Sequence, residues 1–406
     1  MNPRPPGLPK LALVMVGLPA RGKTFVARKL QRYLSWLGYR TLWVNVGDYR
    51  RARAGARQPA SYFAPDNAST AEQRRGFAMA ALDDLLTWFA QGGEVGIYDA
   101  TNTERSRREA LRTRLHAAGV DVLFVETICD DDSIVAANVR RNKLRFPDYA
   151  GVLPEDAFWD FVARIAQYER TYVPVADDEG SYVKLVDAGV KVVTHRVQGY
   201  LPARLAFFLM QIRPQERPIW LSRHGVSEFN DLGRIGGDPP LTERGREYAQ
   251  ALARVVREQP VAPVVLTSTL QRTMQTAEPL GLPYQPLRLL DEIDSGVCDG
   301  MTYEEIKSAM PDEYAARSAD KFRYRYPRGE SYSDVIQRLE PVIVELERQR
   351  DPVLVIAHQA VLRALYGYLM GRPQDECPHL AIPLETLIQL TPTEYGYDET
   401  RLALMA

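Results

Sequence analysis

Residues Gly17–Thr24 read GLPARGKT, and these positions decide the fold of the half of the chain they open. They fit the pattern G-x-x-x-x-G-K-[S/T]. An apolar run, LALVMVGL at 11–18, leads into them, and a helical pattern from Lys23 to Leu37 leads out. That strand–loop–helix setting is what the pattern needs in order to hold a phosphate chain. The loop of Gly17, Leu18, Pro19, Ala20, Arg21 and Gly22 turns backbone N–H groups toward an anion at a helix N-terminus. Lys23 is placed to neutralise β- and γ-phosphates, and the Thr24 hydroxyl to ligate Mg²⁺. The first half is therefore expected to bind a nucleoside triphosphate.

Four further runs have the same strand-like character: TLWVNVGDY (41–49), VGIYDAT (95–101), DVLFVETIC (121–129) and YVKLVDAG (182–189). Helical patterns Thr70–Gln91, Arg105–Ala118, Asp132–Arg145 and Glu155–Tyr172 alternate with them. The alternation predicts a mostly parallel sheet covered on both faces. Such sheets bind ligands beyond the carboxyl ends of their strands. Asp99 and Asp48 sit at two of those ends. Asp99 is the better candidate to hold Mg²⁺, directly or through water, and to orient an attacking hydroxyl. Arg74, Arg107 and Arg164 lie on or near helices after strand ends, with Thr101 and Tyr168 close to them in sequence. Arginines grip phosphate bidentately, which points to an acceptor that already carries one.

The chain has 406 residues, too many for one ordinary core, so two domains of roughly 200 residues are expected. The Pro- and charge-rich stretch RPQERP at 213–218 marks a boundary that gives 1–213 and 214–406. The first part holds 30 Lys/Arg against 23 Asp/Glu and the second 21 against 29, for a net charge of −1 overall. The basic half suits anionic ligands. Its charges are scattered and lack interleaved aromatics, so nucleic acid is not an expected partner. No apolar run approaches the ~20 residues of a membrane span, and the N-terminus lacks the apolar core of a signal peptide. Cys129, Cys298 and Cys377 fit no metal spacing and read as reduced thiols of a cytoplasmic protein.

Strand-like runs restart at PIWLSRHG (218–225), VVLTSTL (264–270) and VLVIAHQA (353–360). Helical patterns Thr242–Arg257, Ser331–Gln349 and Ala360–Leu369 complete a second α/β unit. WLSRHGVSEFN at 220–230 puts His224 on a tight turn at the sheet's carboxyl edge. A neutral imidazole nitrogen there can attack phosphorus while nearby cations neutralise the phosphoryl oxygens. Arg223 is adjacent, Arg272 follows the second run, His358 ends the third, and Asn230 offers an amide hydrogen. Glu292, in LLDEIDSG (289–296), fits the acid that protonates a leaving alkoxide. No metal cluster is needed for this chemistry. The second half is expected to cut a phosphate ester.

These motifs together resemble the bifunctional 6-phosphofructo-2-kinase/fructose-2,6-bisphosphatase family. The likeness runs from about Lys10 to about Leu404 and rests on segments in family order. They are GLPARGKT, NVGDYRR, YDATNTERSRR, RHGVSEFN, RIGGDPPLTERGRE, TYEEI, RYRYPRGESY and AHQAVLRAL. The resemblance implies a P-loop kinase followed by a histidine phosphatase of phosphoglycerate-mutase-like fold. It implies transfer of the γ-phosphoryl group of ATP, with Mg²⁺, to the 2-hydroxyl of fructose 6-phosphate. Arg74, Thr101, Arg107, Arg164 and Tyr168 would hold the sugar phosphate. Asn138 and Lys143, in AANVRRNKL, would lie near the nucleotide, with Lys143 assisting transfer. In the phosphatase half, which needs no cofactor, His224 would take the 2-phosphoryl group of fructose 2,6-bisphosphate. Arg223, Asn230, Arg272 and His358 would surround that group, and Glu292 would serve as acid and base. Tyr303, Arg317, Lys321, Gln359 and Arg363 would grip the rest of the sugar bisphosphate.

Two positions depart from the family: Val226 replaces a usual Glu, and Asp48 a usual Gln. Val226 is the one expected to alter phosphatase rate or grip. The motifs begin and stop close to the chain ends, so control through phosphorylated tails is not expected. A homodimer stays open. The competing readings are a P-loop kinase fused to a phosphoglycerate-mutase-like enzyme, and the same protein with one half inactive. TYEEI and RYRYPRGESY argue against the first, and the presence of every named chemical group in both halves argues against the second.

Overall fold

The structure, a computed structural model, describes residues 10–405 apart from Lys143, Arg145, residues 214–216 and residues 394–395. Lys143, expected beside the nucleotide, thus lies outside the described residues. The described residues fall into two compact units, one of residues 10–34 with Tyr39–Ile212 and one of residues 213–405 with Ser35–Gly38, each built on a six-stranded sheet. No described helix is long and apolar enough to cross a membrane.

The first sheet contains β1 (Lys10–Val16), β2 (Thr41–Asn45), β3 (Val95–Asp99), β4 (Val120–Ile128), β5 (Tyr182–Val186) and β6 (Lys191–His195). They lie in the order β2-β3-β1-β4-β5-β6, parallel except for β6 against β5. β1 is apolar throughout because both of its faces are covered. Ala12, Val14 and Val16 pack with Leu82, Leu85 and Phe89 of the helix Ala68–Ala90, and with Leu111 and Leu115 of the helix Arg105–Ala117. Leu11, Leu13 and Met15 are buried on the opposite face. The neighbours of β1 are β3 and β4, so the Gly17–Thr24 loop emerges beside Asp99 on one side and Thr127 on the other.

The expected strand at 41–49 is corrected. β2 stops at Asn45, whose side-chain oxygen accepts the Gly47 N–H at 2.8 Å and caps the helix Val46–Ala54. Asp48 therefore lies in the first turn of a helix, exposed and 2.6 Å from Arg51, not at a strand end. The helix expected over Asp132–Arg145 is assigned only to Asn142.

The second sheet contains β7 (Ile219–Arg223), β8 (Val264–Thr267), β9 (Tyr284–Pro286), β10 (Val353–Ala357), β11 (Thr386–Pro392) and β12 (Tyr397–Ala403). Their order is β12-β11-β7-β10-β8-β9. β7, β10, β8 and β9 are parallel, and β11 and β12 close one side antiparallel. Trp220, Val265, Leu354 and Ile356 pack under Tyr248, Leu252 and Val256 of the helix Glu243–Arg257. The parallel register pairs Arg223 with Ala357 and Ile356 with Thr267. His224, His358 and Ser268 therefore leave three neighbouring strands at one edge of the sheet.

Candidate active sites

In the first unit the loop geometry needs glycine at its start. Gly17 has φ +133°, and a Cβ there would stand 2.4 Å from the Thr127 carbonyl oxygen of β4. Its N–H donates to Thr101 O at 2.9 Å, which ties the loop to the segment after β3. The Lys23 ammonium folds back on Leu18 O at 2.6 Å. Asp99 is 2 % exposed, and Asn45 donates to its Oδ2 at 2.8 Å. Asn138 reaches the same loop, its amide donating to Ala20 O at 3.1 Å. Lys23, Thr24, Asp99, Thr101 and Asn138 thus share one edge of the sheet.

Arg74, Arg164 and Tyr168 gather around the short turn Ala60–Phe63, and Arg107 lies near Arg74. Arg164 lies 3.8 Å over the Phe63 ring, and Tyr168 packs on that ring with centroids 5.8 Å apart. Arg74 donates to Tyr62 O and, at 3.3 Å, to Ala64 O. Burial lowers the Arg74 pKa, and nearby Arg107 lowers it further. The sequence reading missed Arg50, which lies 5.7 Å from the Phe63 ring and is 4 % exposed. Burial and then Arg164 lower its pKa, although Asp148 pairs with it. Nε of Arg50, Arg107 and Arg164 and the Tyr62 hydroxyl are buried without a hydrogen-bond partner. Buried donors of one sign that converge without partners form a receptacle for an anion.

A second buried arginine, Arg108, holds this region together. Its Nη1 donates to Asn102 O, Thr103 O and Val173 O, at 3.1, 3.1 and 2.9 Å. Nε and Nη2 clasp Glu179 at 2.7 Å each. The loop after Asp99 and the segment after Tyr168 are thereby fixed to one guanidinium.

In the second unit one cleft is lined by Arg223, His224, Asn230, Arg272, Glu292, Tyr303, Arg317, Lys321, Gln359 and Arg363. Gly225 is required here, because a Cβ would meet Gly245 O at 2.3 Å. His224 is 4 % exposed, and its Nδ1 lies 2.7 Å from Gly225 O. A carbonyl only accepts, so Nδ1 carries the proton and Nε2 the lone pair. Burial, then Arg272 and Arg223, hold the ring well below the usual 6.5, so it stays neutral at neutral pH. Arg223 is itself lowered to about 10 by burial, against the pull of Glu292. His358 is 0 % exposed, its ring centroid 5.1 Å from that of His224.

Asn230 Oδ1 is occupied by Ser227 N and Oγ at 3.0 Å each, which leaves its amide hydrogens to point elsewhere. Glu292 Oε1 accepts from Ile293 N at 2.9 Å and from Ala360 N, in the first turn of the helix Gln359–Met370, at 3.2 Å. Arg317 donates to Tyr326 and Tyr303 hydroxyls at 2.8 Å each, and Arg363 to the Tyr332 hydroxyl at 3.2 Å. Burial, then Arg363 and Arg317, lower Lys321 to about 8. Sequence reasoning missed Tyr326 and Tyr332, which orient those arginines. It also missed Arg338, which donates to Asp291 O at 2.6 Å and Glu292 O at 3.2 Å. The departing residue Val226 is 8 % exposed and is not among those lining the cleft. Its carbonyl accepts from Thr242 N and Oγ1.

The 6-phosphofructo-2-kinase family model matches residues 8–216, and that of the histidine phosphatase superfamily (branch 1) residues 219–404. A 6-phosphofructo-2-kinase/fructose-2,6-bisphosphatase of Arabidopsis thaliana is 49% identical over 404 residues, covering 97% of this chain and 54% of its own. The corresponding protein of Gallus gallus is 48% identical over 391 residues, covering 95% and 83%. Isoform 1 of Rattus norvegicus is 47% identical over 389 residues, covering 95% and 82%. The chain thus spans about half of the plant relative and most of the animal ones. It belongs to the 6-phosphofructo-2-kinase/fructose-2,6-bisphosphatase family.

Proposed function

We propose that this chain both makes fructose 2,6-bisphosphate from ATP and fructose 6-phosphate and hydrolyses it back to fructose 6-phosphate and phosphate. The observation that carries the reading is a cleft with two cationic groups. Arg223 and Arg272 line it with His224, and Arg317 and Arg363 line it with Lys321. A sugar with two phosphates needs both; a single phosphate ester needs one.

In the kinase half the residues fit ATP and a divalent cation. Thr127 Oγ1, buried and without a partner, backs the loop at Gly17, and the loop is followed by Lys23. The Thr24 hydroxyl and Asp99 carboxylate are the oxygen donors that Mg²⁺ takes alongside phosphates. When bound, the cation would neutralise β- and γ-oxygens. The arginine cluster around Phe63 binds the 6-phosphate, and Asp99, held by Asn45, orients the 2-hydroxyl and takes its proton.

In the phosphatase half His224 Nε2 attacks the 2-phosphorus. The bond from phosphorus to the C2 oxygen breaks, and Glu292 protonates that oxygen. Glu292 then takes a proton from water, which attacks the phosphohistidine and releases phosphate.

The test uses ATP labelled at the γ-phosphate with fructose 6-phosphate, following label into sugar ester and then into phosphate. An alkaline quench is expected to trap label on His224, and none in His224→Ala. Label that never enters a sugar ester, or phosphate released by direct attack of labelled water on the ester, would overturn the reading.

A further inference from the structure

The Ser268 hydroxyl touches three groups at the edge of the phosphatase sheet. It lies 2.7 Å from His358 Nε2 and 2.8 Å from Thr273 Oγ1, and it accepts the Leu270 N–H at 3.1 Å. Ser268, Thr273 and His358 are each 0 % exposed. A hydroxyl has one proton and two lone pairs. Leu270 occupies one lone pair. Of the other two neighbours, one receives the Ser268 proton and the other donates to the second lone pair.

Two arrangements satisfy this count. In the first, Thr273 donates to the Ser268 hydroxyl rather than to Leu270 O and Ser268 O, 2.8 and 3.1 Å away, Ser268 donates to His358 Nε2, and the ring proton sits on Nδ1. In the second, His358 Nε2–H donates to Ser268, Ser268 to Thr273, and Thr273 to Leu270 O at 2.8 Å. Nδ1 is then a bare lone pair. The choice matters because the ring is neutral: burial, then Arg272, hold it well below the usual 6.5, so one nitrogen alone can donate.

His358 Nδ1 is buried and has no hydrogen-bond partner in the protein. The two histidine rings lie with centroids 5.1 Å apart, tilted 54° to one another, so a phosphoryl group on His224 comes close to this ring. Phosphoryl oxygens only accept. They can meet Nδ1 as N–H and are repelled by its lone pair. We propose that, with a phosphoryl group present, the Ser268–Thr273 hydroxyl pair takes the first arrangement and holds His358 as the neutral Nδ1–H tautomer, a hydrogen-bond donor to the transferring group. Ser268 and Thr273 are positioning residues that act through His358.

The full chain has five histidines, so ¹⁵N-histidine labelling gives a readable set of imidazoles, with His358→Gln assigning one. With inorganic phosphate bound, the expected spectrum has the His358 proton on Nδ1 and a bare Nε2. Ser268→Ala is expected to lose that signature and to lower kcat for fructose 2,6-bisphosphate about tenfold, with KM within about threefold. Thr273→Val, which keeps the Leu270 bond to Ser268, should lower kcat in the same direction. Thr273→Ser should keep the parent rate. A proton on Nε2 in the phosphate complex, or a Ser268→Ala kcat within about twofold of the parent, overturns the proposal. The inference rests on the phosphatase reading, but the two fail differently. Labelled His224 beside an Nε2–H His358 sinks the tautomer assignment alone, whereas a His224 that never labels sinks both.

Discussion

Lys321 tests the phosphatase cleft through pH before any residue is changed. Its ammonium donates to Pro378 O at 3.2 Å, and burial, then Arg363 and Arg317, lower its pKa to about 8. About nine-tenths of free enzyme molecules then carry this cation at pH 7, and about one-tenth at pH 9. A charged hydrogen bond to phosphate is worth about 1.5–3 kcal/mol, or ~10–100-fold in binding. Losing the cation from most molecules should raise KM for fructose 2,6-bisphosphate by up to roughly tenfold between pH 7 and 9. Phosphate esters complete their second ionisation near pH ~6, so the substrate adds little slope in this window. The assay is phosphate release at pH 7, 8 and 9 at fixed ionic strength, for the parent and Lys321→Met. The parent KM should climb, while the variant should start high and stay flat. A parent KM that is flat or falls over this range refutes the placement of Lys321 on the substrate. Stability moves the other way. The unfolded chain keeps this proton up to the ordinary 10.5 and the folded one releases it near 8, so Lys321 adds stability as pH rises between those values.

Lys23→Ala is expected to cut sugar phosphorylation by ~10²-fold or more and to spare phosphate release; an unchanged kinase rate would take the Gly17–Thr24 loop out of the mechanism. Glu179→Ala strands the fully buried Arg108 charge and should cost about 3–5 kcal/mol, read as a lower urea midpoint, with a loss under ~1 kcal/mol contradicting the clasp. Burial opposes ionisation of Glu179, yet Arg108 and the Ala176 N–H hold its carboxyl below the usual 4.5, so the parent should lose this stabilisation as pH falls through that lower value. Residues 214–406 expressed alone should fold and hydrolyse fructose 2,6-bisphosphate; a folded but inactive fragment, rescued by residues 1–213 in trans, would show a shared site.

Much of the site was legible because phosphate chemistry needs particular residue types just past strand ends. Gly17, Lys23, Asp99, His224 and His358 all stand there, and a run such as VLVIA can be read as a buried strand from its composition alone. Asp48 was misread for a reason of the same kind. TLWVN and VGDY continue one another in hydropathy, and only the Asn45 cap, a single side-chain hydrogen bond, divides strand from helix. β6, β9, β11 and β12 escaped because they lie toward sheet edges, where short or half-exposed strands mix polar and apolar residues. Val226 shows the limit of reading a motif position by position. A residue inside RHGVSEFN can serve the turn through its carbonyl while its neighbours His224 and Asn230 line the cleft.

The residues that escaped the motif reading share one physical kind. Arg50, Arg108, Ser268, Tyr332 and Arg338 hold another polar group in place. Such residues leave no spacing signal, because their partners are set by folding: Ser268 meets His358 across 90 positions, and Arg108 meets Glu179 across 71. What exposes them is an unequal count of donors and acceptors. Three arginine Nε atoms and one tyrosine hydroxyl without partners mark the first anion site, and the Arg223 Nε and one imidazole nitrogen without partners mark the second. Buried donors are ordinarily satisfied, so leaving several bare costs stability that a bound phosphate recovers. On that account both sites are destabilised when empty, and inorganic phosphate should raise the melting temperature of the full chain. The shift should shrink in His358→Gln and in Arg164→Met, each by the part its own site contributes. If phosphate left the melting temperature of the parent unchanged at concentrations that inhibit both activities, the bare donors would have to be satisfied in the free protein, and the count would not mark a site.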